Sequence, residues 1–114
     1  MTFRFHPLAI EQQEEIWFYT FRAWGEEQAD RYLADLHHFL EKLPGSLKSP
    51  RIKRVAVEGD LPVFMVRHAH HYIFFRTARD PAIQERLVLS ILHEKMDLPR
   101  RLSQTLARLK DFEP

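Results

Sequence analysis

The sequence contains no cysteine, which excludes disulfides, thiolate nucleophiles and metal sites built on sulfur. Only 3 glycines occur among its 114 residues. None belongs to a phosphate-cradling loop, which excludes nucleotide hydrolysis of the P-loop kind. No apolar run approaches the roughly 20 residues that would span a bilayer. The opening residues, Met1-Thr2-Phe3-Arg4-Phe5-His6-Pro7, lack the apolar stretch of a signal peptide. A soluble, cytoplasmic protein without membrane association is therefore expected. An excess of one charge is also missing. With 17 basic and 16 acidic residues the formal charge is +1, so net charge nominates no class of partner.

What is present reads as one globular unit. A hydrophobic content of 45% is enough for a single core, and we expect one domain over residues 1–114. Phe3-Arg4-Phe5 alternates like a short strand. Pro7 suits the first turn of a helix, and residues 8–24 contain no further Pro or Gly. Trp17, Phe21 and Trp24 recur at i, i+4 and i+7, with Ile16, Thr20 and Ala23 beside them, and Gly25 follows as a left-handed cap. A second helix starts at Glu26 and Glu27. It carries the cleanest apolar stripe of the chain: Ala29, Tyr32, Leu33, Leu36, Phe39, Leu40 and Leu43. Pro44-Gly45 ends it, and the short link between the helices predicts an antiparallel hairpin.

Residues 46–60 read as irregular and carry Lys48, Arg51, Lys53 and Arg54. Beyond them the texture is that of strands. Val63-Phe64-Met65-Val66 and Tyr72-Ile73-Phe74-Phe75-Arg76-Thr77 flank a turn within residues 67–71. Residues 86–93 are apolar on both faces, which predicts a central strand. Asp97 and Pro99 suit the start of a last helix with Leu102, Leu106 and Leu109 along one edge. The fold class is then α+β: a β-α-α-β-β-β core in which a helical hairpin packs on a small, mainly antiparallel sheet, plus a C-terminal helix.

Four groups of residues go further than fold class. They are Tyr19-Thr20; Trp24-Gly25-Glu26 with Gln28-Ala29 and Tyr32; His71-Tyr72-Ile73-Phe74-Phe75-Arg76; and Ile91-Leu92-His93-Glu94-Lys95-Met96-Asp97. In this order and spacing they resemble the ParE toxins, of the ParE/RelE superfamily of type II toxin–antitoxin systems associated with plasmid stabilisation. The resemblance spans nearly the whole chain up to Leu102. It implies the same β-α-α-β-β-β core, a cognate ParD-like antitoxin that neutralises the protein in a hetero-oligomer, and inhibition of DNA gyrase. RelE relatives cleave mRNA on the ribosome instead. A third alternative is a degenerate toxin retained as a non-toxic binding module.

An RNA-cleaving site needs a base, an acid and cations for the developing phosphorane charge. If the chain were a ribonuclease, His71, Arg76, His93 and Lys95 would be the candidates. Tyr72 stands where RelE-type enzymes often carry a strand arginine, which favours a gyrase poison over an enzyme. Each candidate also has a structural explanation. His93 can be a half-buried histidine at a strand end, and Arg76 can pair with Asp97. No acidic ligand lies near His68, His70 and His71 in the sequence, and His37 and His38 point apart on a helix. No metal or cofactor is expected. For antitoxin binding the candidates are Trp17, Phe21 and Trp24, as aromatics beyond the needs of one core face, and the basic residues Lys48, Arg51, Lys53 and Arg54.

Overall fold

The computed structural model describes residues 2–43, 47–55, 62–78, 80 and 82–95. Its elements are β1 (Thr2–Phe5), α1 (Pro7–Trp24), α2 (Glu26–Glu41), β2 (Lys53–Val55), β3 (Val63–His68), β4 (His71–Thr77) and β5 (Glu85–His93). The five strands form one sheet in the order β1-β5-β4-β3-β2. Only the β1–β5 pair is parallel; the other three pairs are antiparallel. The α+β architecture expected from the sequence is present. The expected last helix, with Asp97, Pro99, Leu102, Leu106 and Leu109, lies outside the described residues. No described helix is long and apolar enough to cross a membrane.

Local chemistry sets the helix ends. Pro7 occupies the first turn of α1, and the His6 ring nitrogen Nδ1 accepts from the Leu8 N–H at 3.1 Å, capping a donor that has no partner inside the helix. Gly25 closes α1 and opens α2 in a single residue. Its N–H donates to the Phe21 carbonyl at 2.8 Å, and its own carbonyl accepts from the Ala29 N–H at 3.1 Å. Its φ of +95° explains the glycine, because a Cβ there would meet no atom within 4 Å; the constraint is backbone conformation rather than space. Glu26 and Glu27 sit in the first turn of α2, where the helix dipole favours them.

The main core lies between the hairpin and one face of the sheet. Leu36, Leu40 and Leu43 pack there with Ile73, Phe75, Val88 and Ile91, so the α2 stripe faces the core as its spacing predicts. α1 turns its bulkiest residues away from the sheet. Its inward face is Leu8, Ala9, Gln13 and Ile16, whereas Phe21 and Trp24 are exposed. Val63, Phe74, Leu89 and Leu92 form a second cluster on the opposite sheet face.

Two departures from expectation concern the strands. Residues 46–60 are not wholly irregular, since β2 occupies Lys53–Val55 at the sheet edge. A three-residue strand bearing Lys and Arg carries no readable alternation, and such brevity and charge discourage pairing with another chain. The turn within residues 67–71 is only Ala69 and His70, since β3 runs through His68 and β4 starts at His71; Ala69 adopts a φ of 51°.

β5 is central between β1 and β4, as its two apolar faces predict. It carries one extra residue against β4, because Phe74 pairs with Ser90 and Phe75 with Val88. β1 ends at its Phe5–Val88 pair, and Gln12 of α1 takes over from there. Its Oε1 accepts from the Ile91 N–H at 2.7 Å and from the Ser90 hydroxyl at 3.0 Å. Ser90 is fully buried, so leaving these donors unmet would cost about 1–3 kcal/mol each.

Candidate partner-binding site

The C-terminal half of α1 presents aromatic side chains to the outside. Trp24 is 75% exposed, Tyr19 73%, Phe18 55% and Phe21 44%. These side chains are partly ordered among themselves. The Trp17 and Phe21 rings stack 5.2 Å apart, and Phe18 meets Trp17 edge-on at 5.3 Å. The Trp17 indole N–H donates to Asp30 of α2 at 2.8 Å, which fixes the indole across the hairpin. Beside this ladder lies an open groove of about 370 Å³, walled by Phe5, Ile10, Trp17, Phe18 and Leu33, with Gln13, Glu14 and His37 at its polar margin. His37 is held by a 2.6 Å hydrogen bond to the Gln13 side-chain oxygen and stacks on Phe5 at 5.4 Å. Such a groove, apolar with a few positioned polar groups, suits an amphipathic segment.

Of the residues selected from the sequence, Trp17, Phe21 and Trp24 therefore share one surface. Ile10, Phe18, Leu33 and Phe5 extend it and were missed. The signal for Ile10 was available, since it precedes Trp17 by seven positions and Phe21 by eleven on the same helical face. The basic candidates lie elsewhere. Lys48, Arg51, Lys53 and Arg54 are all exposed, and Lys53 and Arg54 belong to β2 at the far edge of the sheet from β1. Four strand spacings separate those edges, about 19 Å. β5 is interior to the sheet, whose edges among the described strands are β1 and β2.

Of the ribonuclease candidates, His71, His93 and Lys95 gather at one end of the sheet, and Arg76 stands apart from them. His71 and His93 are cross-strand partners whose rings meet edge-on at 5.1 Å. They lie on the helix side of the sheet, in phase with Ile73 and Ile91 of the main core. Arg76 pairs with Leu87 and shares the opposite face with Phe74. It also stands five residues along β4 from His71, about 16 Å. Lys95 is exposed just beyond β5, where its backbone N–H donates to His93 Nδ1 at 3.1 Å. The proposed Arg76–Asp97 pair lies outside the described residues.

His71 is also tuned away from acid–base work near neutrality. Burial, reinforced by His93, His70 and His68, lowers its pKa to about 4 against the opposing pull of Glu94. The His71 Nδ1 is hydrogen-bonded to the Tyr32 hydroxyl, and a ring protonated at Nε2 receives that hydroxyl's proton at Nδ1. Burial in turn raises the Tyr32 pKa. At the rim Glu94 takes a 2.8 Å bond from His70 and pairs with Arg67. The His70 bond is the main cause that holds its carboxyl below the usual range. Among the described residues no group of three or more His, Asp and Glu is arranged to hold a metal ion.

Comparison with known proteins identifies the family. Residues 3–98 match the family described as the ParE toxin of type II toxin–antitoxin systems, parDE. Toxin ParE1 of Mycobacterium tuberculosis is 32% identical over 96 residues, covering 84% of this chain and 92% of that protein. Toxin ParE of Escherichia coli is 38% identical over 92 residues, covering 77% of this chain and 80% of that protein. The archaeal RelE–RelB complex from Pyrococcus horikoshii OT3 superposes with a TM-score of 0.48 at 12% identity, over 82% of this chain and 94% of that one. The chain thus belongs to the ParE toxin family of type II toxin–antitoxin systems.

Proposed function

We propose that this protein acts in the cytoplasm by poisoning DNA gyrase, and that a ParD-like antitoxin holds it inactive by docking on the aromatic face of α1. The observation that carries the gyrase reading over RNA cleavage is the dispersal of His71 and Arg76 to opposite faces and opposite ends of β4. Phosphodiester cleavage needs its base and its cation within hydrogen-bond reach of one phosphate. Expression without antitoxin is expected to arrest growth with filamentation and chromosomal damage while bulk mRNA stays intact. Rapid mRNA loss with an intact chromosome would point to the RelE-type activity. Unimpaired growth would point to a degenerate binding module.

The antitoxin reading rests on the exposed Phe21 and Trp24, the half-buried Trp17 and the groove beside it. Lys48, Arg51, Lys53 and Arg54 would attract acidic residues of the same partner. At physiological salt the Debye length is about 8 Å, and Lys53 and Arg54 sit on the sheet edge opposite β1. The cations then act on a portion of the partner that passes over the β2 edge, and raise its capture rate more than its affinity. Neutralising all four should slow association and flatten its dependence on salt, with dissociation nearly unchanged. Stopped-flow or surface-based kinetics across a salt series reads this directly. An association rate and salt slope equal to those of the unaltered protein would reduce these residues to solvated surface.

A further inference from the structure

We propose that Tyr32, His71 and His93 form an acid-sensitive latch that fastens α2 to the sheet and loosens when His71 takes up a proton. The three side chains come from α2, β4 and β5. The Tyr32 hydroxyl is hydrogen-bonded to His71, and His93 abuts His71 from the next strand at 5.1 Å. His68 of β3 packs near Tyr32 at 6.2 Å and against Phe39 at 4.7 Å. His70, in the β3–β4 turn, lies 6.2 Å from His93. Four of the chain's 7 histidines thus share one end of the sheet.

The charges around the latch favour neutrality. His71 meets Tyr32 from α2, His68 from β3, His70 from the turn, His93 from β5 and Glu94 from the residues after it. Arg67 of β3 and Lys95 add cations nearby. Of the two carboxylates that act on the latch among the described residues, Glu94 is already committed to His70 and Arg67. Asp35 of α2 acts on His68, whose pKa burial nevertheless lowers. Among the described residues a proton on His71 would find no uncommitted carboxylate beside it, and it would cancel a lone pair that can receive the Tyr32 hydroxyl. Leu33 and His37, which line the groove, belong to the same helix, so a loosened α2 would be felt there.

The direction with pH follows from the low folded value. His71 titrates near 6.5 in an unfolded chain and at about 4 in the folded one. The unfolded state therefore binds more protons between these limits. Its contribution to stability is complete above pH 6.5 and is lost as pH falls towards 4. Over that span the unfolding constant should rise by up to about 300-fold on account of this one residue.

The test is a histidine NMR titration of the full chain from pH 8 to 4, with chemical unfolding of the unaltered protein and of His71→Asn over the same range. One histidine resonance should stay neutral until about pH 4, and His71→Asn should remove it. The variant keeps an acceptor for Tyr32 but cannot charge, so its stability should fall less steeply with acid. Acid unfolding of the unaltered protein at a pH where the variant stays folded supports the latch equally. Parallel stability profiles, or a His71 resonance titrating near pH 6.5 in the folded protein, would overturn it. Should His71→Asn fail to fold, Tyr32→Phe serves: removing the donor must move the His71 titration upward, and an unmoved titration overturns the latch.

Discussion

Leu36→Ala is expected to lower the stability of the protein by about 2–5 kcal/mol, the range for truncating a buried leucine. Leu36 is 0% exposed and sits mid-way along α2, within the cluster that includes Ile73, Phe75 and Val88 of the sheet. Truncation removes the transfer energy of its methyl groups. It also leaves a cavity between helix and sheet, two rigid elements that cannot close on it without shifting the Gly25 link or the strands. Small domains have only about 5–15 kcal/mol in hand, so the loss would bring the urea midpoint close to physiological conditions. Urea unfolding followed by tryptophan fluorescence measures this, because Trp17 is tied to Asp30 of α2. A midpoint unchanged within error would mean that the α2 stripe is not the core.

The double replacement of Phe21 and Trp24 by alanine is expected to weaken antitoxin binding by about 30-fold or more while leaving the unfolding midpoint nearly unaltered. The two effects separate because these side chains are exposed in the free protein, so folding gains little from them. A partner that covers them gains the burial of a Trp and a Phe, the kind of anchors worth about 2 kcal/mol or more at interface hot spots. Trp17 would be a poorer probe. Its indole N–H reaches Asp30 of α2, so its loss would disturb the hairpin as well as the surface. Titration calorimetry against purified antitoxin, paired with unfolding, reads both quantities. An unchanged dissociation constant would move the antitoxin off this face.

How much of this was legible in the sequence depends on the range of each signal. The α2 stripe, the Gly25 break and the two-faced apolarity of β5 are local patterns, and each is realised as read. α1 was harder, because two apolar sectors share the helix. Leu8, Ala9 and Ile16 face the core while Ile10, Trp17 and Phe21 face out. Periodicity alone cannot say which sector meets the sheet, and the bulkier one is here the outer. β2 was not legible because three residues containing Lys and Arg carry no strand alternation. Gln12 replacing the missing end of β1, and Tyr32 meeting His71, join residues 79 and 39 positions apart; only the topology brings such pairs together. The ribonuclease candidates held a clue that was overlooked. Residues 71 and 76 of one strand are separated by an odd number of positions, which puts them on opposite faces.

The account is tested most directly by incubating the purified, antitoxin-free protein with DNA gyrase, ATP and supercoiled plasmid, and in parallel with mRNA and translating ribosomes. Protein denaturation after the gyrase reaction should release linear plasmid in proportion to the toxin added, and prior addition of antitoxin should abolish it, while the mRNA remains full-length. Cleaved mRNA together with gyrase that supercoils normally would contradict the account.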